Sequence, residues 1–129
     1  MPRVNHFEIH ATNPEILIRF YTQLFGWTFE PWGPPDGYWM IRTGDDAESG
    51  INGGLLPRRS SAPASGQPVN ASVCTVRVAS ARESYAAALS LGGSEALPVA
   101  AIPAMGWLGY VKDPDGNLFG VMSEDARAI

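Results

Sequence analysis

The chain has 129 residues, 45% hydrophobic and 17% charged, a globular composition long enough for one domain and too short for two ordinary ones. Its net charge is -4 and no basic cluster exceeds Arg58-Arg59, which argues against a nucleic-acid partner; no apolar run approaches the ~20 residues of a membrane span. The one cysteine, Cys74, excludes an internal disulfide, and Met1 leads into a strand-like segment with no secretory signal, so a reducing, cytoplasmic location is expected.

Arg3 to Ala11 sets apolar Phe7 and Ile9 against polar His6, Glu8 and His10, the period of a strand with one buried face. Asn13-Pro14-Glu15 reads as a helix start, and Ile16, Leu17, Phe20, Tyr21, Leu24 and Phe25 follow at helical spacing until Gly26. Strands are predicted over Trp27 to Trp32, Tyr38 to Thr43 and Ile51 to Pro57. They are separated by a Pro/Gly turn at 33–37 and a loop at 44–50. Residues 58–68 (RRSSAPASGQP) read as a mobile linker.

The order then recurs. Ala71 to Ala79 alternates, with Cys74, Val76 and Val78 on its apolar side and Val73, Thr75 and Arg77 opposite; Cys74 is expected to be inert packing. Ser80 with Glu83 forms a capping box, and the helix runs to Gly92-Gly93. Strands follow at about Glu95–Ile102, Trp107–Lys112 and Leu118–Met122, with Asp113-Pro114-Asp115-Gly116 as the last turn. Overlaying the halves places His6 on Val73, Leu24 on Leu91, Gly26 on Gly93 and Gly53 on Gly120, each 67 residues apart. One domain over 1–129 is expected. It is of α+β class and built from two βαβββ modules, about 1–57 and 69–129, on either side of the linker.

Three strings carry a family resemblance: Val4-Asn5-His6-Phe7-Glu8-Ile9, the helix end Phe20-Tyr21-Thr22-Gln23-Leu24-Phe25-Gly26-Trp27, and Lys112-Asp113-Pro114-Asp115-Gly116-Asn117. With the repeat, and with Gly50 to Gly54 in the fourth strand, the chain resembles the vicinal oxygen chelate superfamily of glyoxalases, bleomycin resistance proteins and dioxygenases. The resemblance implies a mixed sheet curled into an open cup, helices outside, a ligand or metal inside, and often a homodimer.

Metal-dependent members of that family use four positions. Here His6 matches the first, while the others fall near Gly53, on Val73 and on Gly120, which offer no side-chain ligand. No resident metal is therefore expected. The alternative is a divalent metal at His6 with Glu8 as second donor, although side chains one two-residue strand step apart are about 7 Å from each other.

The expected ligand site comprises His6, Glu8, Thr75 and Arg77 by strand parity, and Trp39, Asn52 and Trp107 by symmetry of the third and fourth strands. Each also has a plainer reading. His6 serves equally as a pocket wall, and Glu8 with Arg77 as a neutralising ion pair. Trp39 and Trp107 suit core or dimer packing, and the glycines around Asn52 suit a strand bulge.

Three functions stay open. The first is binding of a small organic molecule in an aromatic-lined cup, as in the drug-binding members. The second is a glyoxalase- or dioxygenase-type lyase or isomerase using His6 and Glu8. The third is a regulatory module for a partner protein.

Overall fold

The computed structural model describes residues 2–129. The chain forms two compact units that divide between Ala62 and Pro63, within the Ser/Ala/Pro/Gly stretch. No helix among the described residues is long and apolar enough to cross a membrane.

Unit 1 contains β1 (Phe7–Ala11), α1 (Pro14–Phe25), β2 (Thr28–Pro31), β3 (Trp39–Arg42) and β4 (Gly53–Pro57). Its sheet runs β1-β4-β3-β2, with β1 parallel to β4 and the other pairs antiparallel. The expected helix limits hold. Asn13 is the N-cap residue, although its side chain makes no capping bond, and Pro14 opens the helix. Gly26 closes it in the left-handed region (φ 74°), its N–H donating to the Thr22 carbonyl at 2.9 Å. The apolar stripe of α1 buries Leu17, Phe20 and Tyr21. Trp27 completes this core, stacked on Tyr21 with ring centroids 5.3 Å apart and packed 5.8 Å from Phe7. β1 is shorter than Arg3 to Ala11, because its ladder partner in β4 begins only at Gly53, opposite Phe7.

Unit 2 repeats the order with β5 (Cys74–Arg77), α2 (Ala81–Ser90), β6 (Ser94–Ile102), β7 (Gly106–Lys112) and β8 (Leu118–Glu124), its sheet running β5-β8-β7-β6. Ser80 caps α2 by accepting from the Glu83 N–H at 3.2 Å. At the other end Gly92 N–H reaches the Leu89 carbonyl and Gly93 N–H the Ala88 carbonyl, the paired bonds of a Schellman stop. β6 is an edge strand, so Pro98 is tolerated there, within the register shift between Leu97 and Ala100. Cys74 has the parity of helix-facing Val76, but at the start of edge strand β5 it is exposed rather than packed.

The modules share topology, but the overlay of Gly53 on Gly120 is off by one. Gly53 lies beneath the Phe7 ring on the α1 side of its sheet, whereas Gly120 lies beside Thr75 on the face away from α2. The true counterpart of Gly120 is Gly54, which pairs with Glu8 as Gly120 pairs with Thr75. Leu55 and Val121, the next residues, are both fully buried.

Candidate functional site

In unit 1, alternation sends Phe7, Ile9, Trp39, Ile41, Gly53 and Leu55 to the α1 side. The opposite face is free of the unit's own helix. One row across it reads Glu8, Gly54, Met40, Glu30, each the ladder partner of the next. Tyr38, one residue before β3, lies on this face with its ring across Gly54: a Cβ on Gly54 would collide with the Tyr38 hydroxyl and Cζ. In that seat the Tyr38 hydroxyl is 3.0 Å from His6 Nε2. Burial first, then the charge of Glu8, raises the Tyr38 phenol above its ordinary pKa. Glu8 Oε1 in turn lies 3.4 Å from His10 Nε2. Trp32, 65% exposed, stands edge-on to Tyr38 at 6.0 Å, and its N–H donates to the Tyr38 carbonyl across the hairpin at 3.0 Å.

The structure thus brings His6 and Glu8 together and adds Tyr38, Trp32 and Met40, which the sequence reading did not select. Trp39, expected in the site, is 9% exposed and belongs to the helix-side core. Burial separates the two residues: Trp39 and Ile41 alternate as buried residues along β3, which leaves Tyr38 and Met40 for the other face. Asn52, also expected to meet a ligand, instead fastens the loop between β3 and β4. Its Oδ1 accepts from Thr43 N–H at 2.9 Å, and the Thr43 hydroxyl donates to the Ile51 carbonyl at 2.7 Å.

In unit 2, Thr75 and Arg77 do lie on the face away from α2, with Leu108, Tyr110 and Met122. Arg77 pairs with Glu124 at 3.9 Å and Glu8 with His10, so each charge expected in a Glu8–Arg77 bridge has a partner within its own unit. Trp107 points the other way. The indole N–H donates to Asp125 at 3.2 Å, and the Arg82 guanidinium sits 5.0 Å above the ring. A hollow of about 360 Å³ opens beside them, lined by Ser80, Ala81, Arg82, Trp107, Ser123 and Asp125. Its polar groups already serve each other, Ser80 Oγ holding Glu83 N–H and Ser123 Oγ holding Ala81 N–H. The convergent aromatic and titratable groups stand instead on the face around Tyr38.

A divalent metal of the kind the family uses finds no suitable donor set. On the face of His6, β4 offers Gly54, and the space where a ligand side chain would stand holds the Tyr38 ring. At Gly120 the same space is bounded by Thr75 Oγ1, Tyr110 and Leu108. Among the described residues no three or more His, Cys, Asp or Glu side chains gather as a metal site.

Residues 6–122 match the family model described as a glyoxalase-like domain. Among curated proteins no sequence matches. Solved structures of the same fold include a glyoxalase-related enzyme from Fulvimarina pelagi (TM-score 0.71, 19% identity, 96% of this chain and 89% of that one). A glyoxalase/bleomycin resistance protein/dioxygenase family enzyme from Burkholderia phytofirmans PsJN superposes with TM-score 0.72 at 12% identity, over 94% of this chain and 98% of that one. A glyoxalase/bleomycin resistance protein from Albidiferax ferrireducens T118 gives TM-score 0.63 at 21% identity, over 95% and 98%.

Proposed function

The chain belongs to the glyoxalase-like domain family, and from that premise we propose that it binds a small organic molecule on the open face of unit 1 without a resident metal. The observation that carries this is the group of Trp32, Tyr38 and Met40 beside His6 and Glu8. It sets flat and polarisable apolar surface next to a few convergent polar groups, the usual composition of a small-molecule site. The bleomycin resistance proteins among its structural relatives favour an organic ligand over a macromolecule.

Trp32 is a reporter within the site. A library of flat organic molecules is expected to contain compounds that quench tryptophan emission in the parent and much less in Trp32→Phe. Hits that quench both equally would place the ligand elsewhere. Elemental analysis is expected to find less than one divalent metal per chain; a stoichiometric metal removed by His6→Ala would overturn the metal-free part.

The Tyr38–His6 contact beside Glu8 favours a second reading, a lyase or isomerase that moves a proton with His6 and Glu8. Chemical turnover of a bound hit, lost in both His6→Ala and Glu8→Gln, would select it over simple binding. We place the protein in the cytoplasm as a homodimer, a second copy covering exposed apolar side chains such as Leu97 and Met105. Light scattering at micromolar concentration is expected to give twice the chain mass.

A further inference from the structure

Binding an apolar body requires no particular seat for a tyrosine, yet Tyr38 has one. Only glycine at position 54 leaves room for the phenol to cross β4, and that crossing delivers the hydroxyl to His6 Nε2 at 3.0 Å. A phenol has one hydrogen to give and lone pairs to receive. With the imidazole proton on Nε2, His6 donates to the Tyr38 oxygen, and the phenol hydrogen is left for a ligand. The raised pKa keeps that hydrogen in place beyond the ordinary tyrosine range.

The charges around it define the acceptor. Glu8 on β1 and Glu30 on β2 lie in the row that passes Gly54, and His10 on β1 contacts Glu8. On β3, Arg42 is paired with Asp46 at 3.2 Å. An anionic ligand would meet two carboxylates and an arginine already engaged, so a neutral oxygen is the better match.

We infer that the open face of unit 1 selects an uncharged carbonyl compound with a flat apolar body, its oxygen accepting a hydrogen bond from Tyr38 and its body lying against Trp32 and Met40. This rests on the binding reading above and names its ligand class. Tyr38 is then a specificity-determining residue, and Gly54 and His6 position it.

Three probes with one ring system and different head groups test it: acetylnaphthalene, ethylnaphthalene and naphthoate, titrated calorimetrically into the whole protein. The ketone is expected to bind about tenfold more tightly than the hydrocarbon, the ratio for one satisfied hydrogen bond, with the carboxylate weakest. The infrared carbonyl stretch of isotope-labelled ketone should fall on binding. Tyr38→Phe, which keeps the ring, should bring the ketone to the level of the hydrocarbon and abolish the infrared shift. Gly54→Ala, which leaves the hydroxyl intact but displaces the ring, should do the same. Ketone affinity and stretch unchanged in Tyr38→Phe would overturn the inference while leaving the binding reading in place, as would a carboxylate that binds best. If neither neutral probe binds, both fall together.

Discussion

The two units follow one chain order and one sheet order, yet their free faces differ in kind. In unit 1 the glycine of the fourth strand seats a tyrosine from outside the ladder and joins it to a histidine. In unit 2 the equivalent glycine is flanked by its direct ladder partner Tyr110, by Thr75 and by Leu108. Shared topology therefore fixes where a side chain can stand and says little about what it does there. The structural parts diverge as well. The connection from β7 to β8 is built on Asp113, 2% exposed, which accepts from the N–H groups of Asp115 and Asn117 and from Asn117 Nδ2. The matching connection from β3 to β4 is held by the exposed Asn52–Thr43 pair.

The largest expected effect comes from that last contrast. Asp113→Ala strands three part-buried donors and should cost about 3 kcal/mol of stability in chemical denaturation, whereas Asn52→Ala, at a hydrated loop, should cost about 1 kcal/mol. Equal losses would mean that the two connections are mechanically alike after all. The glycines come next. Gly54→Ala displaces Tyr38, a partly exposed ring free to swing aside, so stability should change by less than about 1 kcal/mol while ketone binding is lost. In Gly120→Ala the neighbours yield by tenths of an ångström, at 2.9 Å from Thr75 Oγ1 and 3.1 Å from Tyr110, and ketone binding should persist. If both variants abolish binding, the assignment of the site to unit 1 alone is wrong.

A finer contrast lies in the corresponding hairpins, where each unit turns on a proline followed by a residue of positive φ: Asp36 at 60° after Pro35, and Ala104 at 65° after Pro103. Alanine is strained there and aspartate much less so. Ala104→Gly should stabilise by about 1 kcal/mol and Asp36→Gly by only a few tenths. A larger gain at Asp36 would reverse that ranking.

The smallest effect separates the two raised tyrosines. Tyr38 is raised by burial and Glu8, and Tyr85 by burial and Glu95; the Tyr85 hydroxyl is buried without a hydrogen-bond partner. Because both folded values lie above the ordinary 10.0, each phenol's contribution to stability is complete below that pH and is lost as pH rises through the raised value. Tyrosinate absorbance should show a phase that titrates late, and part of it should disappear in Tyr38→Phe. An unchanged late phase in that variant would contradict the burial assigned to Tyr38.

Much of the fold was legible because local rules and tertiary demands agree. The helix limits at Asn13-Pro14 and Gly26, the Ser80 cap and the Asp113 turn are set by backbone chemistry within a few residues of each site. Strand parity likewise placed His6, Glu8, Thr75 and Arg77 on the free faces. The site itself was only half legible. His6 and Glu8 were marked by polar residues alternating with a clean apolar face. Tyr38 was not, since it sits at a strand entrance where the turn 33–37 obscures parity, and Trp39 beside it drew the choice by size and aromatic character.

What the sequence by itself determined is therefore the order of elements, their caps and turns, and the parity of the strands with a regular apolar face, all of them interactions between near neighbours in the chain. Only the tertiary structure decided the ladder register, which moved the counterpart of Gly120 from Gly53 to Gly54. It alone turned Trp39 and Trp107 to the helix side, and it alone seated Tyr38, brought from 32 residues away, against His6. Register and close approach depend on which backbones hydrogen-bond across the sheet, and a shift of one residue exchanges every side chain between the two faces.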